Sequence, residues 1–145
     1  MKKFIIRSLT LLLIPLLLLS NLPIIVHADT PDDYGNTFSD AFNWELAPGI
    51  NSRDGVINYA RDIDMFKFTA PTTGIYTIST SNLDSSIAYL DIYLYPSSLN
   101  TYVSKLASYA SPVSLQLTLS AGEAYYLKVD GYYGTGTYKI NISTP

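Results

Sequence analysis

The sequence predicts an all-β fold, an antiparallel β-sandwich built from about eight or nine short strands. Apolar and polar residues alternate with a period of two in most segments after the N-terminal region. Clusters of Gly, Pro, Asn, Asp and Ser recur roughly every 8–12 residues, which is the spacing of turns in small all-β domains. No segment shows a sustained helical period. One domain therefore accounts for everything beyond the N-terminal region.

The stretch 62–79, with the sequence DIDMFKFTAPTTGIYTIS, is predicted to form a strand, a turn and a second strand. Phe66 and Phe68 alternate with Met65, Lys67 and Thr69 in the first arm. Pro71 and Gly74 occupy the connection, where Pro fixes φ and Gly permits positive φ. We predict that this hairpin is the centre of the sandwich core.

The other predicted strands follow from the same alternation. An ambiguous segment at 39–46 is interpreted as extended chain or strand, and 131–136 is interpreted as a glycine-bounded loop. The remaining strands are predicted at 55–59, 88–95, 102–109, 113–120, 125–130 and 138–143. Tyr125 and Tyr138 fall on apolar faces and are expected in the core.

Residues 1–28 have the features of a signal peptide: a basic start, an apolar run over 9–19 and the cleavage pattern Val26-His27-Ala28. An uncleaved anchor is the alternative, because apolar residues persist to Val26. Pro15 and Pro23 interrupt that run, however, and a spanning helix needs about 20 apolar residues. We expect cleavage, a single domain over 29–145, and a secreted bacterial protein that has no membrane contact after processing.

The composition of the mature chain excludes several kinds of partner, metal site and catalytic site. All 12 acidic residues lie beyond residue 28, whereas three of the 9 basic residues lie before it, so cleavage lowers the net charge from −3 to −6. Such a charge makes nucleic acid an unfavourable partner. The chain has no Cys, and its one His, His27, lies in the leader. Disulfides, thiolate or imidazole metal sites and Ser-His-Asp or Cys-His catalysis are therefore excluded from the mature domain.

Four blocks resemble the bacterial pre-peptidase C-terminal domain family, which includes the collagen-binding domains of clostridial collagenases. They occur in the family's order and together span nearly the whole mature chain. The blocks are DDYGNTFSDA (32–41), DIDMFKFTAPTTGIYTI (62–78), LTLSAGEAYYLKVDGY (117–132) and GTYKINIS (136–143). The resemblance implies a compact jelly-roll sandwich that usually follows a secreted hydrolase and is not itself catalytic.

A calcium site is the first candidate site, because Ca²⁺ takes six to eight oxygen ligands. Asp62 and Asp64 would point to the same face of a strand, and the lead-in loop supplies further oxygens, from Asp32 among others. By resemblance to the collagen-binding domains, Asp33, Asn36 and Asp64 match calcium-holding positions. A further family carboxylate corresponds to Arg61, so that Asp62 would substitute for it, or Arg61 would pair with the acids in place of an ion.

A tyrosine-rich surface is the second candidate. All 13 Tyr lie beyond residue 28, and Tyr89, Tyr93, Tyr95 and Tyr126 lie opposite an apolar stripe. Exposed Tyr combines apolar area with a hydroxyl and is favoured in interfaces. In the collagen-binding relatives, late-strand tyrosines contact the ligand, and Tyr126 falls in the corresponding strand. We predict Tyr126, Tyr132 and Tyr133 as ligand-binding residues; core packing is the alternative for such strand-forming residues.

Three functions remain open at this point. The favoured one is a secreted, monomeric, non-catalytic module that binds an extracellular polymer, either collagen-like or a polysaccharide, or a protein, with calcium as a possible cofactor. The second is a partner or inhibitor that acts in trans on a separate secreted hydrolase. A small hydrolase is the weakest, because catalysis by two carboxylates needs a defined pair and nothing in the spacing of Glu45, Glu123 or Asp91 singles one out.

Overall fold

A computed structural model describes residues 31–99, 101–109 and 111–145. The predicted signal peptide therefore lies outside the described residues. Nine strands form within them, and their bounds are β1 (Phe42–Asn43), β2 (Ile50–Ile57), β3 (Asp62–Thr69), β4 (Gly74–Ser81), β5 (Tyr89–Pro96), β6 (Ser104–Ser108), β7 (Ser114–Leu119), β8 (Ala124–Tyr133) and β9 (Gly136–Ser143). The described part of the chain contains no helix long and apolar enough to cross a bilayer.

The strands form two sheets that pack face to face. The five-stranded sheet has the order β1-β3-β8-β5-β6, and the four-stranded sheet has the order β2-β9-β4-β7. Every neighbouring pair is antiparallel except β1 and β3, which run parallel. The predicted antiparallel sandwich and its strand number are confirmed.

The core lies between the inner faces of the two sheets, where alternation places it. On β5 the inward residues Leu90, Ile92 and Leu94 are buried, as predicted. Phe66 and Phe68 are buried on β3, and the predicted core positions of Tyr125 and Tyr138 are confirmed. Each large apolar side chain contributes about 1.5–3 kcal/mol by leaving water, and this burial holds together a domain that has no disulfide.

The predicted central hairpin is wrong, because β3 and β4 belong to different sheets. The connection Ala70–Thr73 crosses from one sheet to the other. The backbone of Ala70 is hydrogen-bonded to the turn before β8, since it donates to the carbonyl of Glu123 and accepts from the N–H of Gly122. Both strands still contribute buried residues to the same core. However, β3 pairs with β1 and β8, and β4 pairs with β7 and β9.

Two strand boundaries also differ from the prediction. β2 begins at Ile50, and its polar first half pairs residue by residue with β9. The predicted loop 131–136 is mostly strand, because β8 continues to Tyr133 and only two residues separate it from β9. Gly134 lies in that turn with a φ of 88°, and a Cβ there would stand 1.9 Å from the carbonyl oxygen of Ser86. Only glycine fits this position.

Candidate functional site

Three carboxylates converge where the lead-in segment meets β3. Asp62 and Asp64 lie two residues apart on the inward face of β3, and both are fully buried. Asp32 reaches them from the lead-in, and one carboxylate oxygen of each residue lies within 4.8 Å of the others. We call Asp32, Asp62 and Asp64 the acidic cluster. Period-two alternation explains why the two β3 carboxylates share a face.

Asn36 fixes the lead-in segment against β3. Its amide nitrogen donates to Asp32 Oδ2 at 2.6 Å, and its amide oxygen accepts from the backbone N–H of Ile63 at 3.1 Å. The backbone N–H of Met65 donates to the carbonyl of Gly35 at 2.9 Å. The lead-in therefore runs beside the start of β3 and holds Asp32 over the two buried carboxylates.

The four residues predicted as metal ligands take different places. Asp62 and Asp64 are brought together, and Asn36 contacts the acidic cluster through Asp32. Asp33 lies apart from these contacts and accepts a 3.0 Å hydrogen bond from the backbone N–H of Val56 on β2. Its neighbour Asp32 completes the cluster, which sequence spacing alone did not distinguish from Asp33.

Each buried carboxylate has one bonded and one unbonded oxygen. Asp62 Oδ2 accepts from the N–H of Asn58 at 2.7 Å, and Asp64 Oδ2 accepts from the hydroxyl of Tyr138 at 2.6 Å. Asp62 Oδ1 and Asp64 Oδ1 are buried without a hydrogen-bond partner. An unpaired buried carboxylate is costly unless it takes up a proton or a cation. This donor set suits a hard cation such as Ca²⁺, with further ligands to complete its coordination.

The pKa values of the acidic cluster also indicate that it would take up a proton or a cation. Burial, reinforced by the neighbouring charges of Asp33, Asp62 and Asp32, raises the pKa of Asp64 to about 8, although the Tyr138 hydrogen bond opposes that change. Burial also raises the pKa of Asp62, and that of Asp33. Without a cation, the buried carboxylate of Asp64 competes for a proton near neutral pH.

Arg61 points away from the acidic cluster. Its guanidinium lies 4.8 Å from the ring centroid of Tyr132 and donates to the Tyr132 hydroxyl at 3.3 Å. Its backbone has a φ of 68°, which turns the chain sharply just before β3. Arg61 therefore does not neutralise the acidic cluster in this structure.

The outer face of the five-stranded sheet carries two groups of contacting aromatic rings, one around Tyr93 and Tyr95 and one around Tyr89 and Tyr132. We call it the tyrosine face, and its members are Phe38, Tyr89, Tyr93, Tyr95, Tyr102, Tyr109, Tyr126, Tyr132 and Tyr133. Neighbouring rings meet mostly edge to face, with centroids 4.7 to 6.3 Å apart. Edge-to-face contact between rings is favourable and fixes their orientation.

The three predicted ligand-binding tyrosines lie at two ends of this face. Tyr126 contacts Phe38 and stands beside the ammonium of Lys67, at 5.4 Å from ring centroid to Nζ. Tyr132 and Tyr133 contact each other at the far end of β8, where Tyr133 is 60% exposed. Six residues of strand separate Tyr126 from Tyr132, which is about 20 Å.

Two ion pairs lie in the middle of the tyrosine face. Asp91 on β5 lies directly opposite Asp130 on β8. Lys105 pairs with Asp91 at 2.8 Å, and Lys128 pairs with Asp130 at 2.6 Å. Asp91 also accepts from the Tyr93 hydroxyl, and all three of these bonds to the two acids use Oδ2 atoms. The other carboxylate oxygen of Asp91 is buried without a partner.

Sequence reasoning missed Tyr109 as a member of this face and Lys105 as the partner of Asp91 within it. Both lie on or just after β6, whose pairing with β5 sets Lys105 opposite Tyr93. The weak alternation of residues 102–109 gave no reason to pair that strand with β5. The odd position of Asp91 between two tyrosines was the available signal, because a buried acid on a strand needs a basic neighbour.

Comparison with known proteins finds solved structures that have a similar fold. The chain matches no protein-family model and no curated protein sequence. Its structure is similar to the pre-peptidase C-terminal domain of a collagenase from Bacillus anthracis, at 19% identity and a TM-score of 0.59. It is also similar to a periplasmic inhibitor of g-type lysozyme from Aeromonas hydrophila, at 9% identity and a TM-score of 0.53. Each superposition covers 71% of this chain and 96% of the other. The protein therefore has the fold of a pre-peptidase C-terminal domain, as its four sequence blocks predict.

Proposed function

We propose that this protein is an exported, non-catalytic module that binds an extracellular polymer through the tyrosine face and holds a calcium ion at the acidic cluster. The observation that carries the proposal is the extent of the tyrosine face, whose two groups of rings lie on one side of the sheet and meet at Asp91 and Lys105. Tyr109, Tyr133 and Tyr132 are 71%, 60% and 36% exposed in one group of rings, and Tyr102 is 45% exposed in the other. Scattered exposed aromatic residues are ordinary, whereas a contiguous patch indicates a binding surface.

The rigidity of the tyrosine face supports binding. Each ring contacts at least one other ring, and Lys105 and Lys128 both stand over Tyr93, at 4.9 and 5.1 Å from its centroid. Side chains that are already ordered lose little entropy when a ligand arrives. A strand-borne surface also keeps its geometry better than a loop does.

Retention on insoluble polymers tests this proposal. The mature chain is mixed with collagen, chitin, cellulose or peptidoglycan, and the bound fraction is measured. The triple variant Tyr126→Ala, Tyr132→Ala and Tyr133→Ala should lose retention while its melting midpoint stays close to that of the wild type. Ile75→Ala is the matched control, because Ile75 is 62% exposed on a strand of the other sheet. Retention that survives in the triple variant would contradict the assignment of the face.

Calcium binding is supported by the two unbonded oxygens of the acidic cluster, Asp62 Oδ1 and Asp64 Oδ1. A bound cation would pair with both and would tie the lead-in segment to β3 through Asp32. The melting midpoint should therefore rise by several degrees in calcium relative to chelator. Asp64→Asn should abolish that rise, and Asp54→Asn should preserve it, because Asp54 is 77% exposed and paired with Lys139. An unchanged midpoint in the wild type would remove the calcium site.

The non-catalytic assignment is supported by where the acids lie. A catalytic acid must reach its substrate, whereas Asp64, whose pKa is raised, is fully buried between the sheets. Glu45 and Glu123 are exposed and so lack the apolar surroundings that tune a general acid. Turnover of generic ester, glycoside or peptide substrates would overturn this part of the proposal.

A second candidate function is action in trans on a separate secreted hydrolase. The structural likeness to a periplasmic inhibitor of g-type lysozyme supports it, since that protein inhibits an enzyme and has a similar fold. The mature chain, added to g-type lysozyme and to hydrolases from the same culture medium, should then reduce their rates. Retention on a polymer with no effect on any enzyme would favour the first proposal.

A further inference from the structure

A groove of about 690 Å³ opens at one end of the tyrosine face, a volume within the usual range of about 300–1,000 Å³ for ligand sites. Tyr89, Tyr109, Tyr132 and Tyr133 line its sides, and Asp91 and Lys105 lie among them. We call this the Asp91 groove. It contains two of the predicted ligand-binding tyrosines, Tyr132 and Tyr133, and excludes Tyr126.

The walls of the Asp91 groove are ordered by contacts between rings. Tyr89 meets Tyr109 at 4.7 Å and Tyr132 at 5.7 Å, and Tyr132 meets Tyr133 at 4.8 Å. A hydrogen bond with the Tyr109 hydroxyl raises the pKa of Tyr89 to about 12, so the Tyr89 phenol stays neutral in ordinary conditions. The groove thus offers uncharged aromatic surfaces that keep their orientation.

Asp91 and Lys105 give the groove an adjacent acceptor and donor. Asp91 is 4% exposed, and its Oδ1 lacks a partner even though Oδ2 accepts from Lys105 and Tyr93. The Lys105 side chain is 37% exposed and extends from the edge strand β6, so it can shift to admit a ligand group. A ligand that donates to Asp91 and accepts from Lys105 would satisfy both.

The charges around the groove cancel. Asp91 is neutralised by Lys105, and Asp130, which also lines the groove, is neutralised by Lys128. A polyanion therefore gains no net attraction there, and it would have to approach a domain that is acidic as a whole. The charge pattern favours an uncharged ligand.

We infer that the Asp91 groove binds a pyranose ring of a neutral polysaccharide. This inference rests on the proposed function and names its ligand class. A pyranose has an apolar C–H face that can lie on the tyrosine rings. It also has vicinal hydroxyls, each of which can both donate and accept, so neighbouring hydroxyls match the carboxylate and ammonium pair. A proline-rich, collagen-like chain offers fewer backbone N–H donors for Asp91 Oδ1.

Titration calorimetry with soluble hexasaccharides tests the inference. Cellohexaose, chitohexaose and maltohexaose serve as neutral probes that differ in the sugar or its linkage, and polygalacturonate and a collagen peptide serve as comparisons. The mature chain should bind at least one neutral hexasaccharide and should bind it more tightly than either comparison ligand. Which hexasaccharide binds then identifies the source polymer.

Two variants and one control locate the site. Tyr109→Ala removes an exposed wall residue and should weaken hexasaccharide binding by about tenfold, the size of one aromatic contact with its buried area. Asp91→Asn should weaken it by a similar factor, because a charged acceptor makes the stronger hydrogen bond. Ile75→Ala, on the opposite sheet, should bind as the wild type does.

The outcomes separate this inference from the proposed function. Retention on collagen with no affinity for any neutral hexasaccharide would overturn the sugar site and leave polymer binding standing. Retention on no polymer at all would overturn both. Hexasaccharide binding that is unchanged in Tyr109→Ala, or tighter binding of polygalacturonate, would also overturn the inference.

Discussion

The hydroxyl of Tyr138 on β9 donates a 2.6 Å hydrogen bond to Asp64 Oδ2 on β3, and so joins the two sheets through the interior of the sandwich. Tyr138 is 1% exposed and Asp64 is fully buried. Burial and the charge of Asp64 raise the pKa of Tyr138 well above its ordinary value, so the phenol remains a donor. The acidic cluster is thus coupled to the packing of the whole fold.

Tyr138→Phe should destabilise the protein by about 1–3 kcal/mol, because it leaves Asp64 Oδ2 buried without its donor. The free energy of unfolding in denaturant, measured in chelator, gives this value directly. Tyr133→Phe is the matched control, since it removes the hydroxyl of a tyrosine that is 60% exposed and should change stability little. Equal stability of the two variants would show that the inter-sheet bond contributes nothing.

The stability of the metal-free protein should fall as pH rises from about 4 towards 8. Asp64 has a pKa of about 8 in the folded chain against an ordinary value of 3.8, so the folded state keeps a proton that the unfolded state has released. That contribution is fully present below the ordinary value and is lost as pH passes through the folded one. Denaturant midpoints measured across this range in chelator provide the test.

Asp64→Asn supplies the control for this pH dependence. The amide cannot titrate, so the downward slope should become much shallower, although the raised pKa of Asp62 leaves part of it. In the wild type, the rise in melting midpoint that calcium causes should grow with pH, because calcium competes with the proton. A slope that is the same in Asp64→Asn would assign the effect to other groups.

Lys105→Met should be clearly more destabilising than Lys139→Met. Lys105 neutralises Asp91, whose side chain is 6% exposed, whereas Lys139 pairs with Asp54, which is 77% exposed. Removing the partner of a buried carboxylate costs about 1–3 kcal/mol, and an exposed pair contributes about 0–1 kcal/mol. Chemical denaturation of both variants at one pH makes the comparison. The reverse order would contradict the buried position of Asp91.

Gly55→Ala should loosen the link between the sheets. A Cβ at this buried position of β2 would stand 2.4 Å from the Tyr138 ring, so the ring must move away from Asp64. We expect a loss of about 1–3 kcal/mol in the free energy of unfolding. Ser52→Ala, at an exposed position of the same strand, should cost less than that. If Gly55→Ala is as stable as the wild type, the Tyr138 ring has more space beside β2 than the structure shows.

Period-two alternation predicts the strands and their inward faces but not their partners. Phe66 on β3 and Ile78 on β4 are both fully buried, as alternation requires. A four-residue connection such as Ala70–Thr73 is short enough for a hairpin, and it also serves to cross between two sheets. Which one forms depends on β8 and β9, which lie far along the sequence and supply the pairing edges. The predicted hairpin therefore failed for a non-local reason.

The residues of the candidate sites were likewise predictable only where a single strand determines their position. The shared face of Asp62 and Asp64 follows from one strand and was predictable. The choice between Asp32 and Asp33 depends on how the lead-in turns over β3, which Asn36 fixes through contacts distant in sequence. Lys105 likewise reaches Asp91 only because β6 pairs with β5. Local patterns locate residues on strands, and long-range pairing assembles them into sites.

Mapping of backbone amide chemical shifts, with a soluble fragment of the polymer that retains the protein, decides whether the tyrosine face is the binding surface. We expect the largest changes on β5, β6 and β8, because six members of the tyrosine face lie on β5 and β8 and two flank β6. Changes concentrated on the outer face of the β2-β9-β4-β7 sheet, or spread evenly over both sheets, would contradict this expectation.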